Sequence, residues 1–171
     1  MRTTLLALLL AAVTATAHEP NKKAPVALPV AASGATAHDP VAAVLLRNAQ
    51  GFESGDLAML NTIWSSDEGV TVFESGGANY GWADYRDHHL KPELEEMKNM
   101  KYQLNDIKTR VSGNTAWATF KYALSADLKE RHVDANGLGT AVLEKRGNDW
   151  KIVHWHTSAR RRPPAAQPTA N

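Results

Sequence analysis

Between residues 102 and 158 apolar and polar side chains alternate with period two, broken at intervals by Gly/Asn turn signals. The alternation predicts four strands, over 102–111, 115–125, 132–145 and 149–158. Their connections, Ser112-Gly113-Asn114, 127–131 and Arg146-Gly147-Asn148, are far too short for a crossover helix. Parallel neighbours need a dozen or more connecting residues, so the four strands pair in antiparallel order as a meander. A sheet with one apolar face must bury it against something. The material for that cover lies upstream.

Asp39-Pro40 is a helix start, with an Asp N-cap and Pro at the first helical position. Val41, Leu45, Asn48 and Phe52 then share one stripe. Ser54-Gly55-Asp56 ends this helix and caps a short second one that reaches Trp64. Residues 70–74 read as a short strand with Val70, Val72 and Glu74 on one face. Residues 75–81, with three glycines, read as a flexible loop. Residues 82–97 are helical by composition, with Pro92 expected to kink or divide them. The predicted class is α+β, a curved antiparallel sheet forming a cone closed by three N-terminal helices.

Length and charge set the limits. The chain has 171 residues, 43% hydrophobic and 22% charged, with net charge +1, ordinary values for one soluble domain. Near-neutral charge without basic–aromatic interleaving argues against a nucleic-acid partner. No cysteine is present, which removes thiolate chemistry. Arg2, an apolar run from Leu5 to Val13 and Ala15-Thr-Ala17 predict a signal peptide over 1–17. The expected location is therefore exported, periplasmic or secreted, with no membrane span after cleavage. The Ala/Pro-rich stretch 18–38 reads as a disordered linker, 39–160 as the domain and 161–171 as a disordered tail.

Three stretches in this order resemble the SnoaL-like branch of the nuclear-transport-factor-2-like superfamily, which includes the ketosteroid isomerases. They are Ser54-Gly-Asp-Leu-Ala-Met-Leu60, Gly69-Val-Thr-Val-Phe-Glu74 and Trp150-Lys-Ile-Val-His-Trp-His-Thr-Ser158. The resemblance covers roughly residues 39–160 and implies the cone fold, a pocket for a small, largely apolar ligand, and a homodimer formed through the outer sheet face. On that face Tyr122, Leu124, Val153 and Trp155 would form an apolar patch. In the isomerases a carboxylate just after the first strand shuttles the proton, and Glu74 falls at or beside that position. The helix tyrosine and strand aspartate of their oxyanion hole correspond to Asn48 and to the neighbourhood of Gly139.

The candidate site follows from parity and from this resemblance. A strand-end carboxyl beside Val70 and Val72 would be desolvated and its proton affinity raised, which suits Glu74 as a general base. A solvated residue paired with Arg86 is the alternative. Period two places His154 and His156 on the Trp150/Ile152 face, about 6.6 Å apart along the strand and aimed at the cone. Either, with Asn48, would steady a developing oxyanion; the alternative is that they finish the core rim. Trp82, Tyr85 and His89 share a helical stripe and, with Trp117, are candidates for the ligand wall or simply for core. His88, one turn after Asp84, reads as its partner. Glu74, His89, His154 and His156 would form an N/O metal set only if they converged, and no local ligand motif supports one. The expected reaction is proton transfer next to a carbonyl with no cofactor and no metal, namely isomerisation, cyclisation or dehydration. A non-catalytic binder or an association module is the alternative.

Overall fold

In a computed structural model the described residues are 39–129 and 131–159. The signal-peptide, linker and tail assignments lie outside them. Helix α1 (Pro40–Ser54) begins where Asp39 accepts the Val41 and Ala42 amides, and it ends at Gly55 in the left-handed region, φ 69°. Asp56 caps α2 (Leu57–Ile63) by accepting the Met59 amide. Strands β1 (Thr71–Glu74) and β2 (Gly77–Tyr80) follow. Next comes one continuous helical stretch: α3 (Trp82–Tyr85), a π-helical turn over Arg86–Leu90, and α4 (Lys91–Glu96). Strands β3 (Lys98–Ser112), β4 (Thr115–Leu128), β5 (Arg131–Arg146) and β6 (Asp149–Ala159) complete the sheet.

The six strands are ordered β2-β1-β6-β5-β4-β3. The meander β3–β6 is antiparallel, whereas β1 pairs with β6 in parallel. That one parallel ladder is possible because the chain between β1 and β6 is long enough to return. The helices cover the concave face of this curved, unclosed sheet. Val41, Leu45 and Phe52 of α1 and Leu60 and Ile63 of α2 are buried there with Trp64, Ala118, Phe120, Leu143, Ile152 and Trp155.

One local expectation is corrected, and a second takes a definite form. Residues 75–81 form no loose loop: Ser75 (φ 52°) and Gly76 (φ 85°) close a two-residue hairpin, and β2 pairs back onto β1. Here glycine supplies positive φ for a tight turn rather than slack. The Pro92 irregularity appears as the π-helical turn just before it, in which the Lys91 amide bonds to the Arg86 carbonyl, five residues back. No helix among the described residues is long and apolar enough to cross a membrane.

The correction with most consequence lies in β6. Val142 of β5 pairs with His154, but the next residue, Leu143, pairs with Ile152. Val153 is thus a β-bulge, an extra residue that reverses the alternation beyond it. Trp150 and Ile152 point inward, and after the bulge Trp155 and Thr157 do so too. His154 and His156 face out. The same register places Tyr122 and Leu124 on the concave side, so the expected outer patch of Tyr122, Leu124 and Trp155 does not exist.

Candidate functional site

A cavity of about 190 Å³ opens between the concave face and the α3–α4 stretch. Its apolar wall includes Phe52, Leu90, Leu94, Met97, Met100 and Leu124. Its polar groups include Glu74, Tyr85, His89, Glu93, Tyr102, Tyr122 and Thr157. An apolar cavity of about 150 Å³ accommodates benzene. The volume therefore suits a ligand of about one ring rather than a fused-ring system.

Glu74 stands at the polar end, its side chain 19% exposed. Parallel pairing sets it beside Thr157, whose hydroxyl donates to Oε1 at 3.2 Å, while the Tyr85 hydroxyl donates to Oε2 at 3.0 Å. Burial pushes the carboxyl above the ordinary glutamate range, and the negative charge of Glu93 adds to that push. The Tyr85 bond, His89 and the Thr157 bond oppose it without cancelling it. Burial and the Glu74 charge hold the Tyr85 and Tyr102 hydroxyls well above their ordinary value, and Tyr122 shifts the same way. All three remain O–H donors at neutral pH. Among the described residues neither the Tyr102 nor the Tyr122 hydroxyl has a hydrogen-bond partner, and both residues line the cavity, so their donors are free for a ligand.

His89 is oriented from outside the pocket. Asp84 accepts from Asn79 Nδ2 at 3.1 Å, which turns Asn79 Oδ1 toward His89 Nδ1 at 2.9 Å. A carboxylate only accepts and an amide oxygen only accepts, so Nδ1 must carry a hydrogen. The other nitrogen, Nε2, then faces Glu93 Oε1 at 3.3 Å and Glu74 Oε2 at 3.8 Å. Asp84 also meets His88 Nδ1 at 3.0 Å. Bonds from Asn79 and His88 hold Asp84 below the usual carboxylate range, keeping it an acceptor.

The sequence matches the model of the SnoaL-like domain over residues 41–161. The chain belongs to the SnoaL-like family. A nuclear transport factor 2-like superfamily protein from Salmonella enterica serovar Typhimurium is similar in structure, with TM-score 0.66 and 17% identity, over 74% of this chain and 93% of that one. A protein from Shewanella frigidimarina proposed as a ketosteroid isomerase superposes with TM-score 0.63 and 20% identity, covering 71% and 96%. The S. rosetta CaMKII hub gives TM-score 0.59 and 23% identity, covering 71% and 95%. At these identities the likeness concerns the fold. No curated protein sequence matches the chain.

In this SnoaL-like chain the structure brings Glu74, Tyr85 and His89 to one pocket. It does not bring the other expected residues there. Asn48 is fully buried in the core, where its Oδ1 accepts from Trp64 Nε1 at 2.8 Å. Trp82 stacks on Trp64 at 4.7 Å and donates to Asn61. Trp117 sits on the outer face of β4, 45% exposed. His154, turned outward by the bulge, meets Thr71 Oγ1 at 2.6 Å and the Phe73 ring at 5.3 Å. Burial, followed by its neighbour His156, lowers the pKa of His154. The hypothetical metal set is accordingly divided between the two faces of the sheet.

Four pocket groups escaped the sequence reading. Glu93 continues the 85/89 spacing by four and was within reach of a helical count. Tyr102 and Tyr122 required the correct parity of β3 and β4, for which the even-numbered set Ala116, Ala118, Phe120 and Tyr122 was the signal. Thr157 was hidden by the bulge.

Proposed function

We propose that this SnoaL-like domain binds a small, largely apolar carbonyl compound and moves a proton on the carbon next to the carbonyl. The observation that carries the proposal is Glu74, a desolvated carboxyl of raised proton affinity at the wall of a cavity lined by both apolar and polar side chains. Burial that raises a carboxylate's proton affinity makes it a stronger base for enolisation, and positioned proton transfer contributes about 10²- to 10⁴-fold. The unpartnered hydroxyls of Tyr102 and Tyr122 replace Asn48 and the two histidines as donors to the developing oxyanion. Tyr85 and Thr157 hold the Glu74 carboxyl in place. The Ala15-Thr-Ala17 signature supports export of the domain, so that it would act outside the cytoplasm.

The test needs no knowledge of the natural product. In D₂O, cyclopentanone and cyclohexanone, ketones of the cavity's size, take up deuterium at the α-carbon, and NMR follows the rate. The full chain is expected to accelerate uptake, and Glu74→Gln is expected to lose at least about 100-fold of that acceleration. No acceleration by the wild type, or the same acceleration by Glu74→Gln, overturns the proposal.

A second reading, association through the outer sheet face, is supported by the exposed Trp117, Leu138 and Tyr80 and by the likeness to a hub domain. It is compatible with the first, because the pocket lies on the other face.

A further inference from the structure

Three acid–base groups of the pocket are neighbours, with His89 Nε2 near both carboxyls. From the interior outward they are Glu74 on β1, His89 on the π-helical turn and Glu93 on α4, with side-chain exposures of 19%, 28% and 45%. The groups facing the His89 ring are Glu74 from β1, Asn79 from β2, and Tyr85 and Glu93 from its own helical stretch. With Nδ1–H committed to Asn79, the Nε2 lone pair would confront two carboxylates unless a proton lay between them. The Asp84–Asn79–His89 chain therefore presets one nitrogen, facing the pocket, to take up and release a proton.

We propose that His89 Nε2 is the exit for the proton that Glu74 takes from the substrate, with Glu93 receiving it at the pocket mouth and Asn79 acting as a positioning residue. This rests on the reading of Glu74 as the base. In the first step the O–H bond of protonated Glu74 breaks and an N–H bond forms at Nε2, giving imidazolium and regenerating the carboxylate. In the second, that N–H bond breaks, Glu93 Oε1 gains the proton, and water removes it. The Nδ1–H bond to Asn79 is unchanged throughout. The 3.3 Å leg to Glu93 is near hydrogen-bond reach, and the 3.8 Å leg to Glu74 must tighten, as catalytic hydrogen bonds do when a ligand closes the site. Without Asn79 the ring can take the other tautomer, whose Nε2 already carries a hydrogen and cannot accept one.

The experiment reads the ¹⁵N shifts of the His89 ring and the ¹³C shift of the Glu74 carboxyl in the ligand-free full chain across pH. Three results are expected. The neutral ring is the Nδ1–H tautomer, and its Nε2 shift follows the Glu74 titration, as coupled groups do. Asn79→Ala populates the Nε2–H tautomer, because the acceptor that holds Nδ1–H is gone. Glu93→Gln moves the Glu74 midpoint downward, since Glu93 pushes it up. A wild-type Nε2–H tautomer, shifts unaffected by Asn79→Ala, or an Nε2 shift indifferent to Glu74 would overturn the relay. These readouts require no turnover, so a failure of the relay is told apart from a failure of Glu74 as the base, which the deuterium assay reads.

Discussion

Moving a carboxyl out of water favours its protonated form, and Glu74 is where this chain accepts that cost. Its folded pKa is raised above the ordinary value of 4.5, chiefly by burial. The native state therefore binds the Glu74 proton more tightly than the unfolded chain does. The associated stability is fully present below the unfolded value and is lost as pH rises through the folded one. Glu74→Gln cannot titrate and should escape that loss. Urea melts from about pH 4 to about pH 8 should show the variant gaining on the wild type as pH rises. A difference that stays flat, or that runs the other way, would mean that Tyr85, Thr157 and His89 fully compensate the burial. At this scale the sequence was informative: Glu74, Tyr85 and His89 were each legible from the strand and helix periods around them. The tyrosines at 102 and 122 were not, because their roles depend on which parity of a long strand faces inward.

Strand β6 shows how one element can reverse a local argument. Period two with Trp150 and Ile152 inward would aim both histidines at the core and expose Trp155. An aromatic ring buries about 150–250 Å², worth roughly 4–6 kcal/mol at about 25 cal/mol per Å². Two inward imidazoles would instead need partners. A single bulge at Val153 satisfies both demands, burying Trp155 completely and letting His154 bond Thr71 at the outer surface. The signal was present as a tryptophan between two histidines, but a fixed period cannot express an inserted residue. The neighbouring Gly137 and Gly139 belong to the same device. A Cβ on either would run into the ring of Tyr122 or Phe120, which instead lie across β5. Trp155→Ala should cost about 3–5 kcal/mol in chemical denaturation, whereas His154→Ala should cost well under half of that. Equal costs would mean that the parity assigned by the bulge is wrong.

For the molecule as a whole, the division of labour between the two sheet faces is what matters. The concave face is committed to core and pocket. The outer face is rich in Thr and carries Trp117 at 45%, Leu138 at 62% and Tyr80 at 65% exposure, with Phe73, His154 and His156 among them. Pairing places Trp117 opposite Val142 and Leu138 opposite both Lys121 and Ser158, so these side chains share one surface across β4, β5 and β6. Large apolar groups gathered on one face of a sheet are usually covered. A second copy is the occupant expected here, because the same chain supplies the same surface and two-fold pairing is self-complementary. A stable interface buries about 1,200–2,000 Å² in total, an area a face three strands wide can supply. The full chain is therefore expected to sediment as a dimer at micromolar concentration, and the double variant Trp117→Glu, Leu138→Glu as a folded monomer, since four like charges would meet across the contact. The pocket lies on the opposite face and should survive the separation, so the monomeric variant should keep the deuterium-exchange activity of the wild type. A wild type that sediments as a monomer would remove the association reading and leave the pocket as this domain's one proposed function.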